Sequence, residues 1–219
     1  MKTRNKALLL TFGAVLLVAA SVLGTLAYLT ATDEVVNTFT VGSVKITLDE
    51  AKVDADGKVV EGEGAGRVKV NSYKLMPGHT YAKDPTVTVK ARSENSYVRM
   101  LVTISNASAL KEVFGENFLP ENYVEGWDSD TWVSTKEVKG DDTADTVTYE
   151  FRYKGTVAAP TADVVLDDLF ETFTVPGIVT NEQLAKLEGL EITVVAHAIQ
   201  ADGFENADAA WEAFDEQQN

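Results

Sequence analysis

The stretch VTYEFRY at residues 147–153 alternates apolar and polar side chains without interruption. Successive side chains of a strand point to opposite faces of its sheet, so this period of two predicts a strand with one buried face. A second alternation, VRMLVTI at residues 98–104, places its valines, methionine and isoleucine on one face. Both stretches therefore predict strands with one buried and one solvated face, a pattern typical of antiparallel sheets.

Working outward from these strands, the chain shows about eight strand-like segments, separated by turn signals. One runs from Val68 through Leu75, and another covers residues 190–200, an apolar stretch that we expect to be too long for an exposed edge. Short helices are expected near residues 109–114, 181–187 and 206–214. Strands and helices do not alternate as in parallel sheets. The predicted fold class is therefore all-β: an antiparallel β-sandwich, jelly-roll-like, with two or three short helices.

The N-terminus has the pattern of a secretory signal. Three basic residues precede a run of 26 uncharged positions, Ala7 to Thr32, that is rich in Leu, Val and Ala. Small residues at Thr25 and Ala27 favour peptidase cleavage between Ala27 and Tyr28. The alternative is an uncleaved anchor helix, because about 20 apolar residues span a bilayer. We expect a signal peptide at 1–27, a leader with a candidate donor strand at 28–50, and a β-sandwich domain with a C-terminal helix at 51–219.

Composition narrows the classes of partner. Beyond residue 27 there are 16 Lys and Arg against 34 Asp and Glu, a formal charge of −18. Such a surface repels nucleic acid and anionic membranes, so any membrane attachment is expected only through an uncleaved signal. The absence of cysteine excludes a disulfide framework and leaves stability to a packed core. With the signal pattern, this composition indicates an exported protein; a location in the extracellular matrix or at the surface of a bacterial cell is what the family resemblance given next implies.

Three regions together resemble the TasA/camelysin family of exported biofilm-matrix proteins. They are GTLAYLTAT at 24–32 with NTFTVGS at 37–43, then LMPGHT at 75–80, and VAHAIQADGF at 195–204. The resemblance implies removal of the signal by a peptidase of the SipW type and a jelly-roll sandwich secreted as a monomer. It also implies homopolymer fibres in which the N-terminal strand of one subunit completes the sheet of the next. On this basis the expected function is structural and not enzymatic.

Donor-strand exchange has a physical counterpart in the N-terminal sequence. It requires a detachable terminal strand and a sheet with an open edge or groove. The segment 28–50 begins with a leader and continues with apolar side chains at nearly alternate positions. These candidate donor residues are Phe39, Val41, Val44, Ile46 and Leu48. The alternative interpretation is that this segment is the first strand of its own monomer.

Two other functions stay open. One is a monomeric, adhesin-like binding module on the cell surface, for which the aromatic residues Trp127 and Trp132, with Tyr149 and Tyr153, offer a carbohydrate platform if they are not core. The other is a camelysin-like metallopeptidase. The chain lacks the His-Glu-x-x-His motif of such enzymes. Its only two histidines, His79 and His197, are distant in sequence.

No cofactor is expected from the acidic turns. Asp54, Asp56 and Glu61 resemble part of a calcium loop, but their spacing departs from the twelve-residue loop. A hairpin built on Asp56-Gly57 is the preferred interpretation. A weak collective response of the acidic surface to Ca²⁺ is the remaining possibility for a metal.

Overall fold

The structure is a computed structural model that describes residues 42–141 and 143–218. Within these residues the chain forms twelve strands and three α-helices. The strands are β1 (Ile46–Ala51), β2 (Arg67–Val68), β3 (Thr80–Ala82), β4 (Thr86–Val89), β5 (Ser93–Ser105), β6 (Val124–Glu125), β7 (Trp132–Asp141), β8 (Thr146–Tyr153), β9 (Val157–Ala159), β10 (Val164–Val165), β11 (Thr172–Thr174) and β12 (Ile192–Gln200). The helices are α1 (Ala107–Phe114), α2 (Asn181–Lys186) and α3 (Ala207–Gln218), with a 3₁₀ turn at Pro120–Asn122.

All strand pairings in the described part are antiparallel, and they form three sheets. One sheet has the order β10-β4-β1-β2, and the second has the order β12-β5-β8-β7 with β9 paired to one end of β5. A small third sheet has the order β3-β11-β6. The fold class predicted from the sequence, a mostly antiparallel sandwich-like β fold with three short helices, is confirmed.

The main core lies between the two larger sheets. The alternation that predicted β5 and β8 directs one face of each strand inward, and those side chains are 3% exposed or less. They are Val98, Met100, Val102, Ile104, Val147, Tyr149 and Phe151. From the other sheet, β4 contributes Val87 and Val89, which are fully buried, while Ile46 and Leu48 of β1 pack against the same core. Burial of this apolar surface is the main term that stabilises the sandwich.

The expectation for the last strand was wrong in one respect. Residues 192–200 do form a long strand, but β12 lies at the edge of its sheet. It pairs with β5 over nine residues, from Ile192 opposite Ile104 to Gln200 opposite Ser96. Its inward side chains join the core, and α3 packs on its outer face, so an edge position still buries apolar surface on both faces.

The strand expected from Val68 to Leu75 ends almost at once, since only Arg67–Val68 pairs as β2. Side-chain hydrogen bonds hold this remainder to neighbouring segments. Asn71 accepts a hydrogen bond from the Val53 amide and donates one to the Ala51 carbonyl. The hydroxyl of Tyr81 accepts from the Met76 amide and donates to the Lys74 carbonyl. These contacts fix residues 69–76 beside β1 and β3 without a strand ladder.

The helices agree with their sequence signals. The short helix α2 begins with a capping box, in which Thr180 and Gln183 exchange side chain to backbone hydrogen bonds. The C-terminal helix extends four residues beyond the predicted Phe214 and buries Trp211 to 1% exposure. Across the described residues, none of the helices is long and apolar enough to span a membrane.

Candidate functional site

The C-terminal half of the candidate donor segment forms a strand of its own chain. Ile46 lies opposite Val89 and Leu48 lies opposite Val87 in the antiparallel pair of β1 with β4. The side chain of Val44, just before this strand, is half-buried. Phe39 and Val41 lie outside the described residues, as does the proposed cleavage position between Ala27 and Tyr28. In this structure, Ile46–Ala51 is therefore a strand of its own subunit, as the alternative interpretation of the donor segment expected.

Polar contacts hold the entry of this strand against the β4–β5 turn. The Ser43 carbonyl accepts a hydrogen bond from the Glu94 amide at 3.0 Å, and the Lys45 carbonyl accepts one from the Lys90 amide at 2.8 Å. The Lys45 amide donates to Ser93 Oγ at 3.0 Å. Among the described residues, backbone hydrogen bonds therefore connect the chain to the β4–β5 turn from Ser43 onward.

One edge of β1 is only partly covered. Over Ile46–Asp49 the strand pairs with β4 on one side, and within the described residues no strand pairs with its other side. The short strand β2 meets that side only at Glu50 and Ala51. A strand with one long partner loses fewer backbone hydrogen bonds on detachment than a central strand does.

Charged side chains anchor the C-terminal end of β1. Lys83 Nζ lies 2.7 Å from Glu50 Oε2, and both side chains are nearly buried, at 6% and 11% exposure. The ring centre of Tyr73 lies 6.0 Å from the same ammonium. Burial, together with the nearby Glu50 carboxylate, raises the pKa of Tyr73. In addition, Arg67 of β2 binds the carboxylates of Asp49 and Asp84.

An open groove of about 670 Å³ lies beside this anchor, between β2 and the segment after β10. Its lining includes Asp167, Asp168 and Glu171, whose carboxylates form no ion pair among the described residues. The apolar side chains of Val59 and Val165 border it and are 49% and 66% exposed. The groove therefore combines negative charge with accessible apolar surface.

The two histidines are held by different elements. His79 is exposed, directly before β3, and its ring centre is 6.3 Å from that of Tyr81. His197 lies on the outer face of β12 and accepts a hydrogen bond from Arg99. In the described part of the chain, no group of three or more His, Asp, Glu or Cys side chains is arranged to hold a metal ion.

The acidic turn at residues 54–58 has the hairpin geometry preferred from the sequence. Asp54 Oδ1 accepts hydrogen bonds from the backbone amides of Asp56 and Lys58, and Val53 bridges to Val59. Gly57 has a φ of +77°, the left-handed region that this turn requires. The Asp54 carboxylate therefore closes a turn.

The aromatic residues considered as a carbohydrate platform mostly belong to the core. Trp132 is fully buried and Tyr149 is 1% exposed. Trp132 Nε1 donates to the Asp167 carbonyl at 3.0 Å, and Trp127 Nε1 donates to the Trp132 carbonyl at 2.8 Å. Buried indoles whose N–H groups are satisfied by backbone are typical core residues.

A charged cluster beneath α3 was missed by sequence reasoning. Its members on the strands are Arg99, Glu150 and Arg152, at the polar positions of the alternating stretches that were expected to face solvent. Arg99 is nevertheless 3% exposed, because α3 covers it. Two features of the sequence could have predicted this burial. The C-terminal helix is amphipathic, and three charged residues occupy the polar positions of the alternating strands.

Neither a protein-family model nor a curated protein matches this chain, and no solved structure matches it either.

Proposed function

We propose that this protein is an exported structural subunit that builds an extracellular matrix fibre by donating its N-terminal strand to a neighbouring copy. The observation that carries the proposal is the position of β1. It is the first described strand, it supplies Ile46 and Leu48 to the core, and it has one long strand partner. A terminal strand of this kind can be exchanged while the other described strands keep their pairings, except β2, which pairs only with β1.

Exchange between copies conserves the contacts of the strand. The pairing of Ile46 with Val89, and the ion pair of Glu50 with Lys83, form equally well when β1 comes from another subunit. The free energy difference between the closed monomer and the open chain of subunits is therefore small. It depends on protein concentration and on the connection between the donated strand and its own subunit, which residues 52–66 supply.

Support for export and self-association comes from the sequence. The signal pattern at 1–27 and the resemblance to TasA and camelysin favour secretion, with a SipW-type peptidase as the processing partner. The formal charge of −18 beyond residue 27 opposes close packing of copies at low ionic strength. We therefore expect fibre growth to be faster at higher salt, because screening weakens the repulsion between subunits.

Electron microscopy of three chains tests the proposal. The chain 28–219 is expected to form filaments, whereas the chain 43–219, which retains β1 but lacks the candidate donor residues Phe39 and Val41, is expected to form fewer. The matched variant is 28–219 carrying Phe39→Asp and Val41→Asp, which keeps the length and replaces two apolar candidate donor side chains with charged ones; we expect it to assemble less. Filaments from 43–219 equal to those from 28–219, or none from any chain, would contradict the proposal.

The groove favours a second candidate, a monomeric module that binds a cationic ligand at the cell surface. Asp167, Asp168 and Glu171 give it negative charge beside exposed Val59 and Val165. Titration calorimetry of 28–219 with an oligolysine peptide tests it. Binding that is weakened by Asp167→Asn with Asp168→Asn, but not by Asp208→Asn on α3, would favour this function. Equal binding by all three proteins would exclude the groove.

A further inference from the structure

The outer face of β5, β8 and β12 carries charges that α3 covers. Arg99 of β5 is 3% exposed although it points away from the main core. Its guanidinium carbon lies 4.5 Å from the ring centre of Trp211 and 5.1 Å from that of Phe214, both on α3. The cation is therefore sandwiched between the sheet and two aromatic rings of the helix.

The hydrogen bonds and ion pairs of Arg99 together connect three strands to the helix. Both terminal nitrogens of its guanidinium bind the carboxylate of Asp215 on α3, with Nη1 to Oδ2 at 3.1 Å. Nη1 also lies 3.7 Å from Glu150 Oε2 of β8. The remaining donor, Nε, lies 3.3 Å from Nδ1 of His197 on β12. Such a bidentate guanidinium–carboxylate contact is directional, so it sets the position of the helix on the sheet.

His197 can take part in this arrangement only as a neutral side chain. The Arg99 Nε–H group donates, so His197 Nδ1 must carry a lone pair and the ring proton must be on Nε2. Protonation would occur at Nδ1, the atom that accepts this bond. It would abolish the hydrogen bond and place a second positive charge against the guanidinium. The imidazole also contacts the helix, since its ring centre lies 4.8 Å from that of Phe214.

The charged groups around His197 come from every element packed against it. Arg99 of β5, Glu150 of β8 and Asp215 of α3 act on the ring itself. Arg152 of β8 pairs with Glu150 and with Asp208 of α3, and completes the cluster. Burial of the ring, and then the Arg99 cation, lower the pKa of His197, although the Asp215 and Glu150 carboxylates act in the opposite direction. The lowered pKa agrees with the geometry, because the folded arrangement disfavours the protonated ring.

We propose that α3 is an acid-released latch: protonation of His197 breaks its contact with Arg99 and loosens the helix from the outer face of the sheet. The core between the two larger sheets is unaffected, since none of its strands depends on α3 for pairing. Release uncovers Arg99 and Glu150 and the apolar underside of the helix around Trp211. The latch lies on the outer face of β5 and β8, whereas β1 contributes to the core on their inner face. The inference is therefore independent of strand donation by β1.

Hydrogen–deuterium exchange of the chain 28–219 measures the latch directly. Amide protection of residues 207–218 is compared at about pH 7.5 and about pH 5.5, after correction for intrinsic exchange, a range in which His titrates and ordinary carboxyl groups do not. We expect protection of the helix to fall about fivefold or more at the lower pH, while protection of β4 and β8 stays constant.

His197→Gln is the matched variant, because its amide oxygen can accept the Arg99 hydrogen bond but does not titrate. We expect its helix protection to be the same at both pH values. Wild-type protection that does not change with pH would overturn the proposal without any variant. An equal loss in His197→Gln would also overturn it, since the acid response would then arise from other groups.

Discussion

The guanidinium carbon of Arg99 lies 4.5 Å from the ring centre of Trp211, which joins the middle of β5 to the C-terminal helix. The indole itself is 1% exposed. This pair explains why Arg99 is buried although its side chain lies on the face of β5 that points away from the core. The helix forms a third layer over that part of the sheet. The stability of the sandwich therefore depends on residues near the C-terminus as well as on the main core.

Trp211→Ala is expected to lower the free energy of unfolding by about 3–5 kcal/mol, because it removes a large buried side chain and uncovers the Arg99 cation. Urea unfolding followed by circular dichroism measures the change. Glu212→Ala, at an exposed position of the same helix, is the control and is expected to stay within about 0.5 kcal/mol of the wild type. Equal losses in the two variants would contradict the docking role of Trp211.

Asp215→Asn tests the carboxylate that binds the same guanidinium. Hydrogen bonds from Arg99 lower the pKa of Asp215, so its stabilisation is present above the ordinary aspartate pKa of about 3.9 and is lost as the pH falls through the lowered value. The side chain is 55% exposed, so solvent screening limits the loss on substitution to about 1 kcal/mol at neutral pH.

The difference between wild type and Asp215→Asn is expected to shrink when unfolding is measured at progressively lower pH, below about pH 4. Asp208→Asn is the comparison, because Asp208 pairs with Arg152 while its side chain is 88% exposed. Its effect should be smaller. A difference for Asp215→Asn that stays constant down to about pH 2 would show that the ion pair is not its source.

Glu50→Gln is expected to destabilise the protein by about 3–5 kcal/mol, because it leaves the Lys83 ammonium buried without its counter-charge. Replacing both residues, Glu50→Leu with Lys83→Met, removes the pair together and is expected to cost much less. Thermal or urea unfolding of the single and double variants completes a double-mutant cycle. Additive losses would contradict the anchoring of β1 by this pair.

Gly57→Ala is expected to destabilise the turn before β2 by more than the backbone conformation alone explains. At a φ of +77°, an added Cβ would lie 2.3 Å from Cδ1 of the buried Tyr81 ring. Gly155→Ala is the control, since its φ of +81° carries the same backbone strain and nothing lies within 4 Å of the added atom. Its cost is expected to be about 1 kcal/mol. Equal costs in unfolding experiments would exclude the steric contact.

The period-two patterns were sufficient to predict the strands that build the core. At Val147 and Tyr149 the alternation of one strand decides which side chains are buried, and neighbouring strands follow the same rule. The capping residue Thr180 was predictable for a similar reason, because its signal is contained within four residues. Local sequence therefore predicts the fold class well.

Other features depend on contacts between distant segments, which local patterns do not contain. Arg99 has the sequence pattern of a solvated residue, and only the return of the chain at Asp215 buries it. Similarly, β12 has the apolar content of a central strand although it lies at an edge. The candidate donor strand shows the same limit, because the alternation at Ile46 and Leu48 predicts which face is buried but not whether β1 pairs within its own subunit or with a neighbouring copy.

Cysteine trapping of β1 against β4 tests strand donation most directly. Thr47 lies opposite Thr88 in this pair, both side chains point away from the core, and the chain has no native cysteine. Directly opposed residues in antiparallel strands have the Cα separation that a disulfide requires. Two single variants of the chain 28–219, Thr47→Cys and Thr88→Cys, are mixed under conditions of assembly and then oxidised.

Donation of β1 between copies predicts heterodimers linked through Thr47→Cys and Thr88→Cys, seen on denaturing gels and identified by mass spectrometry of the linked peptides. The double variant in one chain serves as the control and should give ladders of linked subunits when assembled. If the mixed single variants give no linked heterodimer, while the double variant forms only an internal disulfide, β1 stays in its own subunit and strand donation is contradicted.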